Sequence, residues 1–206
     1  MEEYKEIERS IIKRFRKEIY RPFVKAVSDF NLISDGDTIA VCISGGKDSF
    51  LLAKCLEELM RHGKINFSLK FILMNPGYSE EHLEKIKNNA SKLNLDIHYF
   101  EYNVFEQIKG SVSPCYLCAR KRRGALYSEA QKLGCNKIAL GHHFDDVIET
   151  ILMSMIYNGE FKTMMPILDS SNFEGMKLIR PLYFVHESDI MSWCRYNHLE
   201  FIDCAC

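Results

Sequence analysis

The chain has 206 residues, 47% of them apolar, a formal net charge of −1 and no apolar run of membrane-spanning length. This length favours one domain with a real core, and the near-neutral charge excludes a protein held to nucleic acid by an overall positive field. The start, Met1-Glu2-Glu3-Tyr4-Lys5, carries no apolar signal core, so a cytoplasmic protein is expected.

Residues 4–29 read as a helix, because Ile7, Ile11, Ile12, Phe15, Ile19, Phe23 and Val24 recur at three- and four-residue spacing. Pro22 is expected to kink or split it. Its other face carries Lys13, Arg14, Arg16, Lys17, Arg21 and Lys25 among glutamates, which reads as a solvated face or as a strip touching RNA phosphates. Residues 31–37 form a turn around Asp35-Gly36-Asp37. A buried strand over 38–43 follows, then a loop, then a helix-like run over 50–60. Residues 68–74 and 96–102 read as further strands, with a helix over 79–93 between them. Residues 104–113 are irregular. A helix over 119–133 stops at Gly134 and leads to a short strand over 137–140. A loop over 141–146, a helix over 147–157, a loop-rich stretch over 158–177, a fifth strand over 178–182 and a helix over 186–197 complete the chain. Strands alternating with helices predict an α/β fold with a mostly parallel, five-stranded sheet covered on both faces. The loops at 44–49, 75–78 and 141–146 all follow strands. They should converge at the carboxyl edge of the sheet, where such folds bind ligands.

The first of these loops is Ser44-Gly45-Gly46-Lys47-Asp48-Ser49. Adjacent glycines let backbone approach an anion, and loop amides with a helix N-terminus supply positive potential. Lys47 adds a mobile charge, and Asp48 can hold a magnesium ion against phosphate oxygens. It is neither a Walker loop nor a G-x-G-x-x-G turn. The second is Gly141-His142-His143-Phe144-Asp145-Asp146 at a strand end and a helix start. An aspartate there caps the helix; two histidines and two aspartates exceed what a cap needs. Adjacent histidines point apart, so one ring facing the ligand is expected, rather than a bis-histidine metal site. One of Asp145 and Asp146 is expected to hold magnesium near the phosphates, and the other to cap the helix.

Eight cysteines in a reducing compartment are not a disulfide framework. Cys42, Cys55, Cys135 and Cys194 sit in apolar or helical runs and read as structural. Cys115 and Cys118 form a C-x-x-C pair, and Cys204 and Cys206 close the chain. Such a pair can be half a zinc site, a dithiol or part of an iron–sulfur cluster. Arg120, Lys121, Arg122 and Arg123 follow it at a helix start, where cations oppose the helix dipole and thiolates, a cluster or bound phosphates would offset them. A solvated charge run is the plain alternative.

The hexapeptide at 44–49 resembles the PP-loop of the ATP pyrophosphatases. Together with Cys115-Tyr116-Leu117-Cys118-Ala119-Arg120-Lys121-Arg122-Arg123-Gly124, the 141–146 motif and Ile179-Arg180-Pro181-Leu182, the chain resembles the tRNA 2-thiocytidine synthetases. The resemblance implies a Rossmann-like fold of the HUP/PP-loop class at 31–206 behind an N-terminal helical extension at 1–30. It implies ATP and Mg2+ bound by Ser44, Gly45, Gly46, Lys47, Asp48, Ser49, Gly141, His142 and Asp145, with Lys47, Asp48 and Asp145 catalytic. A 4Fe-4S cluster on Cys115, Cys118 and Cys204 would leave one iron open for sulfur. The base carbonyl would be adenylated and attacked by iron-bound sulfide, releasing AMP. Arg120, Arg122 and Arg123 would meet tRNA. A sulfur donor such as a cysteine desulfurase is implied, and a homodimer is admitted. The competing readings are a PP-loop enzyme acting on a small molecule or free base, and a non-catalytic nucleotide- and metal-binding protein.

Overall fold

A computed structural model describes residues 3–103 and 114–202, with only the backbone of 114–116. Six strands form one sheet in the order β3-β2-β1-β4-β6-β5. They are β1 (Thr38–Cys42), β2 (Ser68–Asn75), β3 (Ile97–Glu101), β4 (Lys137–Ala139), β5 (Ile167–Asp169) and β6 (Lys177–Ile179). All neighbours are parallel except β5 with β6. The expectation of five strands is corrected to six. The extra strand, β5, lies inside the stretch read as loop. It is a three-residue edge element with Leu168 half-exposed, so no buried apolar run announces it.

The centre of the sheet is β1. Ile39, Ala40 and Val41 have no exposure, as a strand covered on both faces requires. Its side chains alternate between two apolar clusters. Ile39, Val41 and Ile43 join the larger one, and Ala40 and Cys42 the smaller one. The larger is closed by α3 (Lys47–His62), α4 (Glu80–Lys92), α7 (Glu187–Tyr196) and the N-terminal helices. The smaller is closed by α5 (Pro114–Lys132) through Tyr127 and Ala130. The sixth helix, α6 (Phe144–Asn158), buries only Val147 and Ser154. No helix among the described residues is long and apolar enough to cross a membrane.

The N-terminal segment breaks, but not at Pro22. It runs as α1 (Glu3–Lys13), a π-helical turn (Arg16–Tyr20) and α2 (Arg21–Asp29), with Pro22 in the first turn of α2, where a missing N–H is harmless. The cause lies in the spacing. Ile7, Ile11, Phe15, Ile19, Phe23 and Val27 recur every fourth residue, and all are buried. In a regular helix such a stripe drifts by about 40° per step. The π turn, with Tyr20 N donating to Phe15 O, absorbs extra residues and returns the stripe to the core.

Two buried ion clusters tie this segment and the first strand down. Lys54 of α3 is 1% exposed; it pairs with Glu8 and Glu57 and donates to Leu93 O at 2.9 Å. Arg61 grips the same Glu8 with both terminal nitrogens, at 3.1 and 2.8 Å. Asp37 takes Lys137 Nζ at 2.6 Å, the Ser34 amide and Asn136. Burial pushes both carboxyls up. Arg61 and Lys54 outweigh it at Glu8, and Lys137, Ser34 and Asn136 outweigh it at Asp37, so both lie below their ordinary values. Their stabilisation is therefore complete above the unfolded carboxyl range near ~4 and is lost as pH falls through the lowered native values. Thermal melts should hold level from roughly pH 6 to 8 and drop below about pH 4. Glu8→Gln should cost about 2 kcal/mol at pH 7 and flatten the acid limb; an unchanged limb would rule Glu8 out.

Candidate active site

The loop after β1 is shaped by its own hydroxyls and glycines. Gly45 has φ +90°, and a Cβ there would meet Ile202 Cδ1 at 2.5 Å and Ile86 Cγ1 at 2.9 Å. Both the conformation and the packing demand glycine. Ser49 Oγ donates to Gly46 O at 2.8 Å and accepts from Ser44 N at 3.2 Å; Ser44 Oγ accepts from Gly46 N at 3.4 Å. Gly46 caps α3 in extended conformation without a side-chain cap, so the first amides of α3 keep their positive end.

The second loop descends from β4, the strand on the other side of β1. A Cβ on Gly141 would lie 3.0 Å from Asp48 C and 3.0 Å from Ser49 N, both backbone atoms. The two loops therefore touch main chain to main chain at the point where strand order reverses. Helix α6 starts at Phe144, earlier than the expected 147, so Asp145 and Asp146 lie in its first turn. Asp146 Oδ2 accepts from His143 N at 2.8 Å. Asp145 Oδ2 accepts from Glu187 N at 2.8 Å and so caps α7. The histidines diverge as expected. His142 lines a cavity of about 260 Å³ together with Ser44, Asp48, Ser49, Asp146 and Arg122. His143 is 6% exposed and lies behind, with Nε2 at 4.0 Å from Asp48 and Nδ1 at 3.4 Å from Asp146.

The cavity holds unsatisfied polar atoms. Asp48 Oδ1 and His142 Nδ1 are buried without a hydrogen-bond partner among the described residues. Burial pushes the Asp48 carboxyl up, against Lys47 and His143, which pull it down. Burial also pushes His142 down, and Arg180 adds to that, so a neutral imidazole faces the cavity. A buried carboxylate oxygen beside a glycine cradle and open amides suits a hard cation on a phosphate chain. Tyr78 closes the rim, its hydroxyl donating to Ser44 O at 3.4 Å.

Lys47 turns away. Its Nζ meets Glu187 Oε1 at 2.8 Å and Asp48 at 3.4 Å. It lines an adjoining cavity of about 370 Å³ with Gly46, Asp48, Cys194 and Ile202. Burial opposes its charge, but Glu187 and Asp48 outweigh that and hold Lys47 above its ordinary value. Cys118 is half-buried and free on α5, one helical turn before Arg122. The side chain of Cys115, and Cys204 and Cys206 entirely, lie outside the described residues, as does the 104–113 stretch. Arg120 and Arg123 are exposed and line a different cavity, with Arg180. Asp145 does not line the cavity that holds His142; Asp146 does. Tyr78, Arg180 and Glu187 join the site region without having been selected from the sequence. The only signals for them were an Asn-Pro-Gly turn, an arginine closing an apolar strand, and an acidic helix start.

Gly141→Ala should push the 44–49 loop off its position and weaken ATP binding on the order of tenfold, at a melting temperature close to the parent's. Isothermal titration with a non-hydrolysable ATP analogue and Mg2+ reads this; full affinity would mean that the loops do not share one ligand.

A model of the PP-loop domain matches residues 11–205. The tRNA-cytidine(32) 2-sulfurtransferase of Alcanivorax borkumensis is 36% identical over 203 residues, covering 95% of this chain and 70% of the relative. That of Geobacter sulfurreducens is 39% identical over 194 residues, covering 92% and 75%. Among solved structures, the U34-tRNA thiolase NcsA from Methanococcus maripaludis with its [4Fe-4S] cluster superposes with TM-score 0.72 at 24% identity, over 93% of this chain and 66% of that one. Phosphoadenylyl-sulfate reductase from Candida auris superposes with TM-score 0.53 at 9% identity, over 94% and 87%. These two likenesses carry the fold, and the sequence relatives carry the rest: the chain belongs to the tRNA-cytidine(32) 2-sulfurtransferase family of PP-loop proteins.

Proposed function

We propose that this chain is an adenylating tRNA sulfurtransferase that exchanges a cytidine carbonyl oxygen for sulfur at the expense of ATP. The observation that carries the reading is one stripe of α5. Cys118 stands one turn before Arg122, and Arg122 and Leu126 line the same cavity as Ser44, Asp48 and His142. A thiol thus stands one helical turn beyond the α5 wall of a phosphate cradle. Ile202 packs against Gly45 of that cradle.

In this reading the triphosphate lies on the amides of 44–49 and the start of α3, with Ser44 and Ser49 as hydroxyl partners. Asp48 Oδ1, which has no hydrogen bond though Lys47 Nζ lies 3.4 Å away, holds Mg2+ on the phosphate oxygens. Lys47 exchanges Glu187 for phosphate and balances charge on the departing pyrophosphate. Asp145 acts at one remove, capping α7 so that Glu187 stands opposite Lys47. Neutral His142, with Gly141 and Asp146, orients the nucleotide. The base oxygen attacks the α-phosphorus, the bond to pyrophosphate breaks, and the oxygen becomes part of a good leaving group, AMP. Cys115, Cys118 and Cys204 would offer an all-thiolate donor set, which suits iron–sulfur ligation; a 4Fe-4S cluster held there would carry the incoming sulfur from its donor. A cysteine desulfurase is the proposed donor, and the cytoplasm the proposed compartment. A homodimer is proposed on the uncovered face of α6. Ile156 and Tyr157 there are more than three-quarters exposed or close to it, and Glu149 is the single charge between 147 and 158, so two copies meet without like-charge repulsion.

The decisive test is nucleoside analysis of tRNA from a strain lacking this gene. 2-Thiocytidine should be absent and return with the wild-type gene; an unchanged profile would favour the small-molecule reading. Lys47→Ala should fail to restore it while the anaerobically purified protein keeps its iron. Cys118→Ala should lose iron and keep ATP affinity. Retained iron in Cys118→Ala would remove Cys118 from the ligand set. Ile156→Asp should shift a dimer to monomer by light scattering; an unshifted mass would place any interface elsewhere.

A further inference from the structure

A second cavity, of about 320 Å³, opens on another face of α5. Arg120, Arg123 and Tyr127 come from α5, Ser170 and Phe173 from the β5–β6 connection, and Arg180 from the end of β6. Arg180 is the unusual member. It is 7% exposed, Nη1 donates to Met165 O, and Nε is buried with no partner. Among the described residues no carboxylate pairs with Arg120, Arg123 or Arg180. The one acidic lining residue, Asp169, pairs with Lys177 at 3.1 Å. Burial and the nearby Arg123 both disfavour the Arg180 charge. A buried guanidinium with an open donor and a second cation beside it calls for an anion.

We infer that Arg120, Arg123 and Arg180 form a phosphate subsite that takes a backbone phosphodiester of the RNA next to the target cytidine. The inference rests on the tRNA reading above and deepens it. The planar forks of three guanidiniums suit the non-bridging oxygens of a phosphodiester. The cavity is distinct from that of the 44–49 loop, yet Arg180 is close enough to bias His142 electrostatically. A strand whose base enters the first cavity therefore passes a flanking phosphate by the second. Tyr127 and Phe173, stacked at 5.1 Å and 13°, give the cavity an apolar wall of the kind that faces sugar or base. The run after the C-x-x-C pair is thereby divided: Arg122 belongs to the nucleotide cavity, Arg120 and Arg123 to the RNA.

The test uses the whole protein and unmodified tRNA. Arg120 and Arg123 are exposed, so Arg120→Gln with Arg123→Gln should leave the fold, checked by circular dichroism, and the ATP affinity intact. tRNA affinity should fall roughly tenfold, and its salt dependence should become shallower by about one to two in log–log slope. Arg180→Lys, which keeps charge but loses the fork, should weaken tRNA binding without moving the ATP affinity. Unchanged tRNA affinity and slope in these variants, with tight wild-type binding, would overturn the subsite alone. A wild-type protein that binds no tRNA would overturn the underlying reading. Loss of ATP affinity, or variant-sensitive binding of inorganic phosphate or pyrophosphate with tRNA binding unchanged, would assign the cavity to a free anion and overturn the RNA assignment.

Discussion

The site depends on one close approach, the backbone of Gly141 against the backbone of Asp48 and Ser49. Two parallel strands running side by side deliver their loops to the same edge, but they leave only a few ångströms between them. Any side chain at Gly141 would wedge the loops apart. With none, the glycine cradle, the buried Asp48 oxygen and the His142 ring share one cavity. Everything attributed to nucleotide chemistry follows from that spacing, because a carboxylate-held cation acts on phosphate only when both sit in one pocket.

The charged groups around this contact are arranged in layers. One oxygen of Asp146 is taken by the backbone of His143 and one of Asp145 by the start of α7, and His143 is packed behind them. These groups fix the first turn of α6. Asp48 and His142 are left with open polar atoms. Unsatisfied polar atoms that face the cavity mark the site; His143 Nδ1 and Trp193 Nε1 are also without a partner but do not line it. Arg180 repeats the pattern at the neighbouring cavity.

The alternating elements, the central position of the strand at 38–43 and the convergence of the loops were legible from apolar runs and turn residues. Buried parallel strands leave continuous apolar sequence. β5 left none, being three residues long and half-exposed at an edge. The break in the N-terminal helix was legible in principle, because a strict four-residue period cannot ride a regular helix; Pro22 drew the eye to the wrong place. Choosing between Asp145 and Asp146 lay beyond sequence, since neighbours in a first helical turn point about 100° apart and only the surroundings decide which faces inward. Tyr78 and Arg180 lie in segments that the sequence marks, the 75–78 loop and the Ile179–Leu182 motif, and Glu187 at a helix start, but no local pattern singles out those side chains.

The packing around Gly45 also bears on how the chain folds. The loop is seated by Ile202, Phe201 stacks on Phe50 at 5.3 Å, and Asn197 bonds Ser10 across 187 residues of sequence. These are contacts of high sequence separation, so loop-closure entropy is paid before the cradle takes shape. During synthesis the residues at 44–49 emerge long before Phe201 and Ile202. The cradle therefore reaches its final shape late, and nucleotide binding becomes a property of the finished fold rather than of its N-terminal half.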